Sequence, residues 1–219
     1  MIDAVIFDMD GLMFDTESTF FVGFKQVCLE HGIPVTDDII YSMIGCDSRM
    51  IEQYEKQFPG ISQAMKEFQE RRLEIFFEMY PEPGSGNMEG LEELIAYLNE
   101  AGIVYAIASS SHPKDIRRLV QHANCEIQPK EIVSSKEHGI ASKPAPDIFL
   151  EAAKRLDVSP ECCLVLEDSK NGVMATRRAG MLSIYIPDKV HPDRQMYPYI
   201  HTTCDNLAQV ISFIERKNG

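Results

Sequence analysis

The chain has 219 residues, of which 44% are hydrophobic and 25% charged, a mix that suits one large globular domain or a domain with a smaller insertion. Its 34 acidic residues outnumber its 21 basic ones, and the net charge of −13 argues against nucleic acids and anionic membranes as partners. Small anionic substrates are not excluded, because local charge or a bound metal can override the overall field.

Short, continuous apolar runs predict strands that are buried on both faces of a parallel sheet. These runs cover residues 4–7, 103–108, 131–134, 163–166 and 182–186. Segments with helical periodicity lie between them, at 89–101, 113–123, 146–156 and 170–179. This alternation predicts an α/β fold built on a doubly wound parallel sheet.

The segment 17–80 interrupts the alternation, because it contains no convincing strand. Its periodicity predicts helices at 17–31, 36–44, 48–57 and 62–79, and the Pro/Gly-rich linker PEPGSG follows at 81–86. We therefore predict a helical domain, 17–80, inserted into an α/β domain formed by 1–16 and 81–219. Inserted domains commonly enclose a ligand site at their junction with the parent domain.

The six cysteines indicate a reducing environment, since none forms a Cys-x-x-Cys pair and two lie in a strand-like run. They are Cys28, Cys46, Cys125, Cys162, Cys163 and Cys204. We expect reduced thiols in a cytoplasmic protein. No signal peptide is visible before the first predicted strand, and no apolar stretch approaches the length of a membrane span. We expect a monomer.

The stretch AVIFDMDGLMFDTE, residues 4–17, places acidic residues directly after a buried strand. Asp8 and Asp10 stand two apart, so in extended backbone their side chains point the same way. A hard divalent cation such as Mg²⁺ would offset their mutual repulsion. The alternative is a polar turn, because Asp and Gly are also ordinary turn residues.

Polar residues follow three further predicted strands. The run Ser109–Ser111 precedes a predicted helix and favours either an anion site or a simple helix cap. Lys143 follows the third strand and could hold a phosphate or carboxylate as a point charge, or be a solvated surface lysine. Glu167 and Asp168 form a second acidic pair after the fourth strand, or cap a helix. Since open α/β sheets bind ligands at the carboxyl ends of their strands, the combination predicts a metal–phosphate site.

These motifs resemble the haloacid dehalogenase-like hydrolase superfamily. FDMDGLMFDTE is similar to the family's first motif, the serines at 109–110 to its second, Lys143 in SKPAPDIF to its third, and the acidic pair in LEDS to its fourth. The helical insertion resembles the family's α-helical cap, and the branch that it resembles contains beta-phosphoglucomutase and sugar-phosphate phosphatases. The resemblance implies a Rossmann-like core and a Mg²⁺-dependent phosphoric monoester hydrolase.

The resemblance also implies roles for the acidic residues. Asp8 would be the nucleophile that becomes an aspartyl-phosphate, and Asp10 the general acid and then the general base. Mg²⁺ would be held by the Asp8 carboxylate, the Asp10 backbone carbonyl and Asp168, with Glu167 as an outer partner.

The phosphoryl group and the rest of the substrate have implied contacts of their own. Ser109, the Ser110 amide and Lys143 would hold the phosphoryl oxygens. Three cap residues would contact the substrate: Thr16, Gly45 and Arg49. For Arg49, which could hold a second anionic group, a solvated arginine at a helix start is the alternative.

Three readings of the function remain open at this point. We expect hydrolysis of a small phosphorylated metabolite, with a sugar phosphate as one candidate. A phosphomutase is the first alternative. The place of that branch's cap histidine is taken here by Phe20-Phe21. Its second cap residue, a lysine late in the cap, falls in a segment whose only cationic residues are Arg71 and Arg72. A non-enzymatic receiver domain is the second alternative, which the long helical insertion disfavours.

Overall fold

The computed structural model describes residues 1–43, 48–189, 192 and 194–219. Six strands in that part of the chain form one sheet: β1 (Ala4–Phe7), β2 (Val104–Ser109), β3 (Glu131–Ser134), β4 (Cys163–Glu167), β5 (Leu182–Tyr185) and β6 (Thr202–Thr203). The α-helices there are α1 (Thr16–Thr19), α2 (Lys25–Glu30), α3 (Asp37–Ser42), α4 (Ser48–Gln57), α5 (Ile61–Met79), α6 (Leu91–Ala101), α7 (Pro113–His122), α8 (Asp147–Leu156), α9 (Lys170–Arg178) and α10 (Gln209–Asn218).

Strand β1 lies inside the sheet, whose order is β3-β2-β1-β4-β5-β6 with every neighbouring pair parallel. Ala4 of β1 is level with Val104 of β2 and with Cys163 of β4. All four residues of β1 are buried, as a continuous apolar run requires. The chain builds the sheet outward from β1 to β3 and resumes at β4 on the other side of β1. The predicted doubly wound α/β fold is confirmed.

Helix α8 shows how the faces of the sheet are covered. It packs against β1, β2 and β3, and its buried residues Ile148, Phe149 and Leu156 join the same cluster as Ile6 and Val165. The helix ends at Leu156, and the next residue, Asp157, adopts a left-handed φ of 60°. Its first residue directly follows the Lys143–Pro146 segment, so the docking of α8 on the sheet also fixes where that segment lies.

The chain divides into two compact units. The core unit comprises Met1–Phe14 and Pro83–Gly219 and holds the whole sheet, whereas the helical unit comprises Asp15–Glu82. The helical unit has a hydrophobic core of its own, with Phe24, Ile40 and Ala64 fully buried. The segment 17–80 that we predicted as a cap falls inside this unit, and its action as a cap stays a prediction.

Two parts of the fold differ from the expected elements. The predicted helix 17–31 is divided into α1, a π-helical turn at Phe20–Phe24, and α2. The turn contains Gly23, where a Cβ would lie 2.7 Å from Cγ2 of Ile75, so packing against α5 admits no side chain there. Strand β6 and helix α10 were not predicted.

Within the described ranges, every helix is too short or too polar to cross a lipid bilayer. Five cysteines are free thiols there: Cys28, Cys125, Cys162, Cys163 and Cys204. Burial raises the pKa of Cys28 and that of Cys125 to about 11, so both thiols are protonated at neutral pH. Cys46 lies outside the described residues.

Candidate active site

The carboxyl ends of three adjacent strands bring the site together in the core unit. Asp8 directly follows β1, and its amide donates to the carbonyl of Leu166 in β4 at 3.0 Å. Ser109 is the last residue of β2, and Glu167 is the last residue of β4. Because β1 pairs with both β2 and β4, parallel pairing sets these side chains at one edge of the sheet.

Lys143 connects two of these strand ends. Its Nζ forms an ion pair with the Asp8 carboxylate and another with Oε1 of Glu167, at 2.6 Å for the latter. The Ala108 carbonyl accepts from the same nitrogen at 3.3 Å, and the Phe149 ring centroid lies 4.9 Å away. The side chain is 8% exposed. Burial alone would lower the pKa of Lys143, but the two carboxylates raise it above its ordinary value, so Lys143 stays charged.

Asp8 carries an electrostatic cost that Lys143 does not remove. Burial raises the pKa of Asp8, the Lys143 ammonium lowers it, and the carboxylates of Glu167 and Asp10 raise it; together these effects leave the pKa at about 7. The ionised form, which a nucleophile needs, is therefore disfavoured in the protein alone. A further cation beside Asp8 would favour that form.

Glu167 is fully buried, and both of its carboxylate oxygens are engaged. Oε1 binds Lys143, while Oε2 accepts from the Asp168 amide at 3.2 Å, the Ser169 amide at 3.1 Å and the Ser169 hydroxyl at 2.9 Å. A Cβ on Gly172 would lie 1.8 Å from Cδ of Glu167, so the absent side chain of Gly172 makes room for the carboxylate. Glu167 thus fixes the position of Lys143.

Three buried carboxylates lie close enough together to hold a metal ion. Asp8, Glu167 and Asp168 each offer an oxygen, and these atoms lie within 4.8 Å of one another. Carboxylate oxygens are hard donors of the kind that Mg²⁺ prefers. The donor set therefore fits a hard divalent cation, and the contacts of Glu167 leave Asp8 and Asp168 as the better ligands.

Asp10 has separate partners, on the end of β2. Its Oδ2 accepts from the Ser109 hydroxyl at 3.0 Å and from the Ser111 hydroxyl at 2.7 Å. The chain turns directly after it, at Gly11, where φ is 81°. β1 ends at Phe7, so Asp8 and Asp10 lie beyond the strand, and the expected alignment of their side chains stays a prediction. Ser111 was not among the predicted site residues, although it belongs to the same serine run.

The structure brings most of the predicted site residues to one edge of the core unit: Asp8, Asp10, Ser109, Lys143, Glu167 and Asp168. Ser110 follows β2 directly and is exposed. Thr16 is the first residue of α1 in the helical unit and is half-buried. Gly45 lies outside the described residues, and so does the side chain of Arg49.

The helical unit contains a cleft of its own, which we name the cap cleft. Its volume is about 520 Å³, and its lining combines apolar and charged side chains: Phe20, Met43, Ile51, Glu52, Ser62, Met65, Lys66, Phe68, Gln69 and Arg72. Phe20 also packs against Phe24 and Phe68 in the core of this unit. Phe20 is therefore both a core residue and a wall of the cleft.

A model of the haloacid dehalogenase-like hydrolases matches residues 5–186. The chain belongs to this family. As expected of a hydrolase of the haloacid dehalogenase type, it resembles the "Putative phosphatase YhcW" of Bacillus subtilis, 33% identical over 92% of this chain and 90% of that protein. A phosphorylated carbohydrates phosphatase of Thermotoga maritima is 29% identical over 84% of each chain.

A solved structure supports the same fold. The beta-phosphoglucomutase of Clostridium difficile superposes with a TM-score of 0.76 at 22% identity, covering 99% of this chain and 97% of that one. The predicted haloacid dehalogenase family, its Rossmann-like core and its beta-phosphoglucomutase-like branch are confirmed, and so is the prediction that the chain is an enzyme.

Proposed function

We propose that this protein is a Mg²⁺-dependent phosphatase that hydrolyses a small phosphorylated metabolite through an aspartyl-phosphate on Asp8. The observation that carries the proposal is the buried contact of Lys143 with both Asp8 and Glu167, beside Asp168. Membership of a hydrolase family and similarity to proteins named as phosphatases support it.

Mg²⁺ would be held by the Asp8 carboxylate, the Asp10 backbone carbonyl and Asp168. When bound, the ion supplies positive charge that offsets the crowded carboxylates and the charge of the transferring phosphoryl group. Glu167 is engaged by Lys143 and by three donors on Oε2, so it acts from outside the ligand set.

In the first step, a carboxylate oxygen of Asp8 attacks phosphorus while the bond from phosphorus to the ester oxygen breaks. Asp10 gives its proton to that leaving oxygen. Lys143, the Ser110 amide and the Ser109 hydroxyl hold the phosphoryl oxygens. In the second step, water attacks the same phosphorus, Asp10 takes the water's proton, and Asp8 and inorganic phosphate are released.

The helical unit would act as the cap that selects the substrate, through Thr16, Gly45 and Arg49. The cap cleft supports this role, because its Phe20 wall and the Arg72 side chain suit a substrate with an apolar part and an anionic group. A sugar phosphate remains a candidate, supported by the relative that is named for phosphorylated carbohydrates.

Hydrolysis is preferred over phosphoryl transfer between sugar hydroxyls. Phe20-Phe21 stands at the place where the mutase branch carries a histidine, and the Phe20 ring lies in an apolar cluster with Phe24 and Phe68. Incubation with glucose 1-phosphate and a trace of its bisphosphate separates the two activities. Inorganic phosphate as the product supports a phosphatase, whereas glucose 6-phosphate would indicate a mutase.

A panel of phosphorylated metabolites with Mg²⁺ tests the proposal. We expect near-total loss of phosphate release in Asp8→Asn and in Asp10→Asn, and strong loss after chelation of Mg²⁺. Asp157→Asn is the matched control, because Asp157 is exposed and asparagine also tolerates its left-handed backbone. Activity that survives Asp8→Asn would overturn the nucleophile assignment.

A further inference from the structure

Two serine hydroxyls donate to the same oxygen of Asp10. Ser109 reaches Oδ2 at 3.0 Å and Ser111 reaches it at 2.7 Å. Both backbone groups of Ser111 are hydrogen-bonded. Its amide donates to Oγ of Ser109 at 3.0 Å, and its carbonyl accepts from Oγ of Ser134 at 2.6 Å. With 4% of its surface exposed, Ser111 is a buried and fixed donor.

The hydroxyls of Ser109 and Ser111 differ in the other contacts that are proposed for them. A hydroxyl has one proton to donate, and that of Ser109 goes to Asp10 while its oxygen accepts from the Ser111 amide. Ser109 therefore cannot donate to a phosphoryl oxygen without giving up Asp10. The Ser111 hydroxyl donates to Asp10 and is not assigned to the phosphoryl group, so we take it as the donor that holds Asp10 when a substrate is bound.

We propose that Ser111 is a positioning residue for Asp10 in the first step of the reaction. The inference rests on the proposed function. Because the Ser111 hydroxyl donates to Oδ2, the transferable proton of Asp10 resides on Oδ1. The same hydrogen bond orients the carboxyl group so that Oδ1 points towards the leaving oxygen of the substrate. During the step, the Asp8 oxygen–phosphorus bond forms, the phosphorus–ester oxygen bond breaks, and the Oδ1 proton moves to the leaving oxygen.

The dependence of the rate on the leaving group separates this role from a structural one. An alkoxide is a poor leaving group and needs the proton of Asp10, whereas p-nitrophenolate leaves readily without it. The ratio kcat/KM covers the steps up to the aspartyl-phosphate, so it reports the departure of the leaving group. A hydroxyl that merely supports the fold would affect all phosphate esters alike.

The experiment compares Ser111→Ala with wild type on p-nitrophenyl phosphate and on alkyl phosphates, among them the metabolite best hydrolysed in the panel. General acid catalysis contributes about 10²–10⁴-fold, so a misplaced acid should lower kcat/KM for alkyl phosphates by roughly 10- to 100-fold. On p-nitrophenyl phosphate the loss should stay below about threefold. Ser111→Thr, which keeps a hydroxyl, should recover most of the alkyl activity.

Two further variants define the interpretation. Asp10→Asn should show the same dependence on the leaving group in stronger form, and Asp157→Asn, at an exposed residue away from the site, should leave it unchanged. An equal loss of kcat/KM for Ser111→Ala across all esters would overturn the inference and leave the proposed function intact. Wild-type protein that hydrolyses no phosphate ester would overturn the proposed function and this inference with it.

Discussion

At the scale of single residues, the site combines several buried carboxylates with one buried ammonium group, so its negative charge is only partly neutralised. Lys143 neutralises part of the charge of Asp8 and Glu167, but Asp8 keeps a pKa of about 7 because it is buried and has acidic neighbours. Buried like charges cost free energy unless a partner offsets them. The residual charge is therefore the strongest physical reason to expect a cation at this edge of the sheet.

The first prediction links Mg²⁺ binding to pH. Since Asp8 must be ionised to bind the metal, binding near pH 6 should release about one proton, and binding near pH 8 almost none. Apparent Mg²⁺ affinity should therefore increase as the pH rises through about 7. Calorimetric titration in two buffers of different ionisation enthalpy counts the released protons. Proton release near pH 6 that persists in Asp8→Asn would contradict this assignment.

The same pKa shift also affects the stability of the metal-free protein. Mg²⁺ affinity should rise with pH, whereas the contribution of Asp8 to the free energy of unfolding should fall. The native state keeps the Asp8 proton up to about pH 7, whereas the unfolded chain loses it near the ordinary value of 3.8. The native state thus binds more protons between these values, and the contribution of Asp8 to the free energy of unfolding falls as pH rises through that range.

The second prediction concerns Gly172, whose missing side chain makes room for Glu167. Gly172→Ala would gain up to about 1 kcal/mol of helix propensity in α9. The clash with Glu167 should outweigh that gain, since overpacking a buried site costs about 1–3 kcal/mol. We expect a lower free energy of unfolding in urea and a large loss of kcat, because the contact with Lys143 is displaced.

Asn171→Ala is the matched control for Gly172→Ala, since Asn171 is the exposed neighbour in the same helix. It should keep both stability and activity within small changes. A Gly172→Ala protein with full activity would show that the Glu167 carboxylate can move without loss of function.

The identity of these residues could be predicted from the sequence more readily than their contacts. Asp8, Lys143 and Glu167 follow apolar runs that read clearly as buried strands, and parallel strands end at a common edge. The bond between Asp10 and Ser111 could not be predicted, because it depends on the turn at Gly11 and on residues 101 positions apart in sequence. Local patterns carry no information on such a contact.

At the scale of secondary structure, continuous apolar runs predicted buried strands well, whereas a strand without such a run could not be predicted. The runs at 4–7 and 131–134 match β1 and β3 residue for residue. Strand β6 has two residues, neither of them buried, so it has neither length nor periodicity to mark it. The π-helical turn at Phe20–Phe24 contains Gly23, which lies against Ile75 of α5, and a contact between two helices cannot be read from local periodicity.

The third prediction concerns the cap cleft in the helical unit. If this cleft holds the organic part of the substrate, Phe20→Ala and Arg72→Ala should raise KM for the most rapidly hydrolysed metabolite with little change in kcat. The reason is that they remove contacts that are equally strong in the bound substrate and in the transition state. The compact substrate p-nitrophenyl phosphate should be affected less. Val22→Ala is the control, since Val22 is exposed in the same turn. Equal changes on both substrates would argue against substrate selection by the cleft.

At the scale of the whole molecule, two compact units of different architecture share one chain. The chain leaves the core unit after Phe14 and re-enters it at Pro83. The backbone of the core unit is joined across this gap, because the Met88 amide donates to the Met13 carbonyl at 2.9 Å. The missing strands and the helical periodicity of 17–80 are what predict an insertion from the sequence, and the roles of Thr16, Gly45 and Arg49 stay predictions.

The fourth prediction is that Mg²⁺ stabilises the whole molecule against heat. A ligand that binds the native state alone, present at 100 times its Kd, adds about 2.7 kcal/mol to the free energy of unfolding. We expect a higher Tm with Mg²⁺ in wild type and in Asp157→Asn, and a much smaller rise in Asp168→Asn. Differential scanning calorimetry with and without Mg²⁺ measures this. An undiminished rise in Asp168→Asn would place the ion elsewhere.

The position of β1 in the middle of the sheet has a consequence for biosynthesis. The strand that leads into Asp8 is translated before the other five strands, its two neighbours in the sheet follow about 100 and 160 residues later, and Lys143 is separated from Asp8 by 135 residues. Contacts between such distant segments form late, because closing a long loop is entropically unfavourable. A ribosome-bound fragment that ends before Lys143 therefore holds Asp8 and Asp10 without the lysine that pairs with Asp8, and the site can form only after Lys143 and Asp168 have been translated.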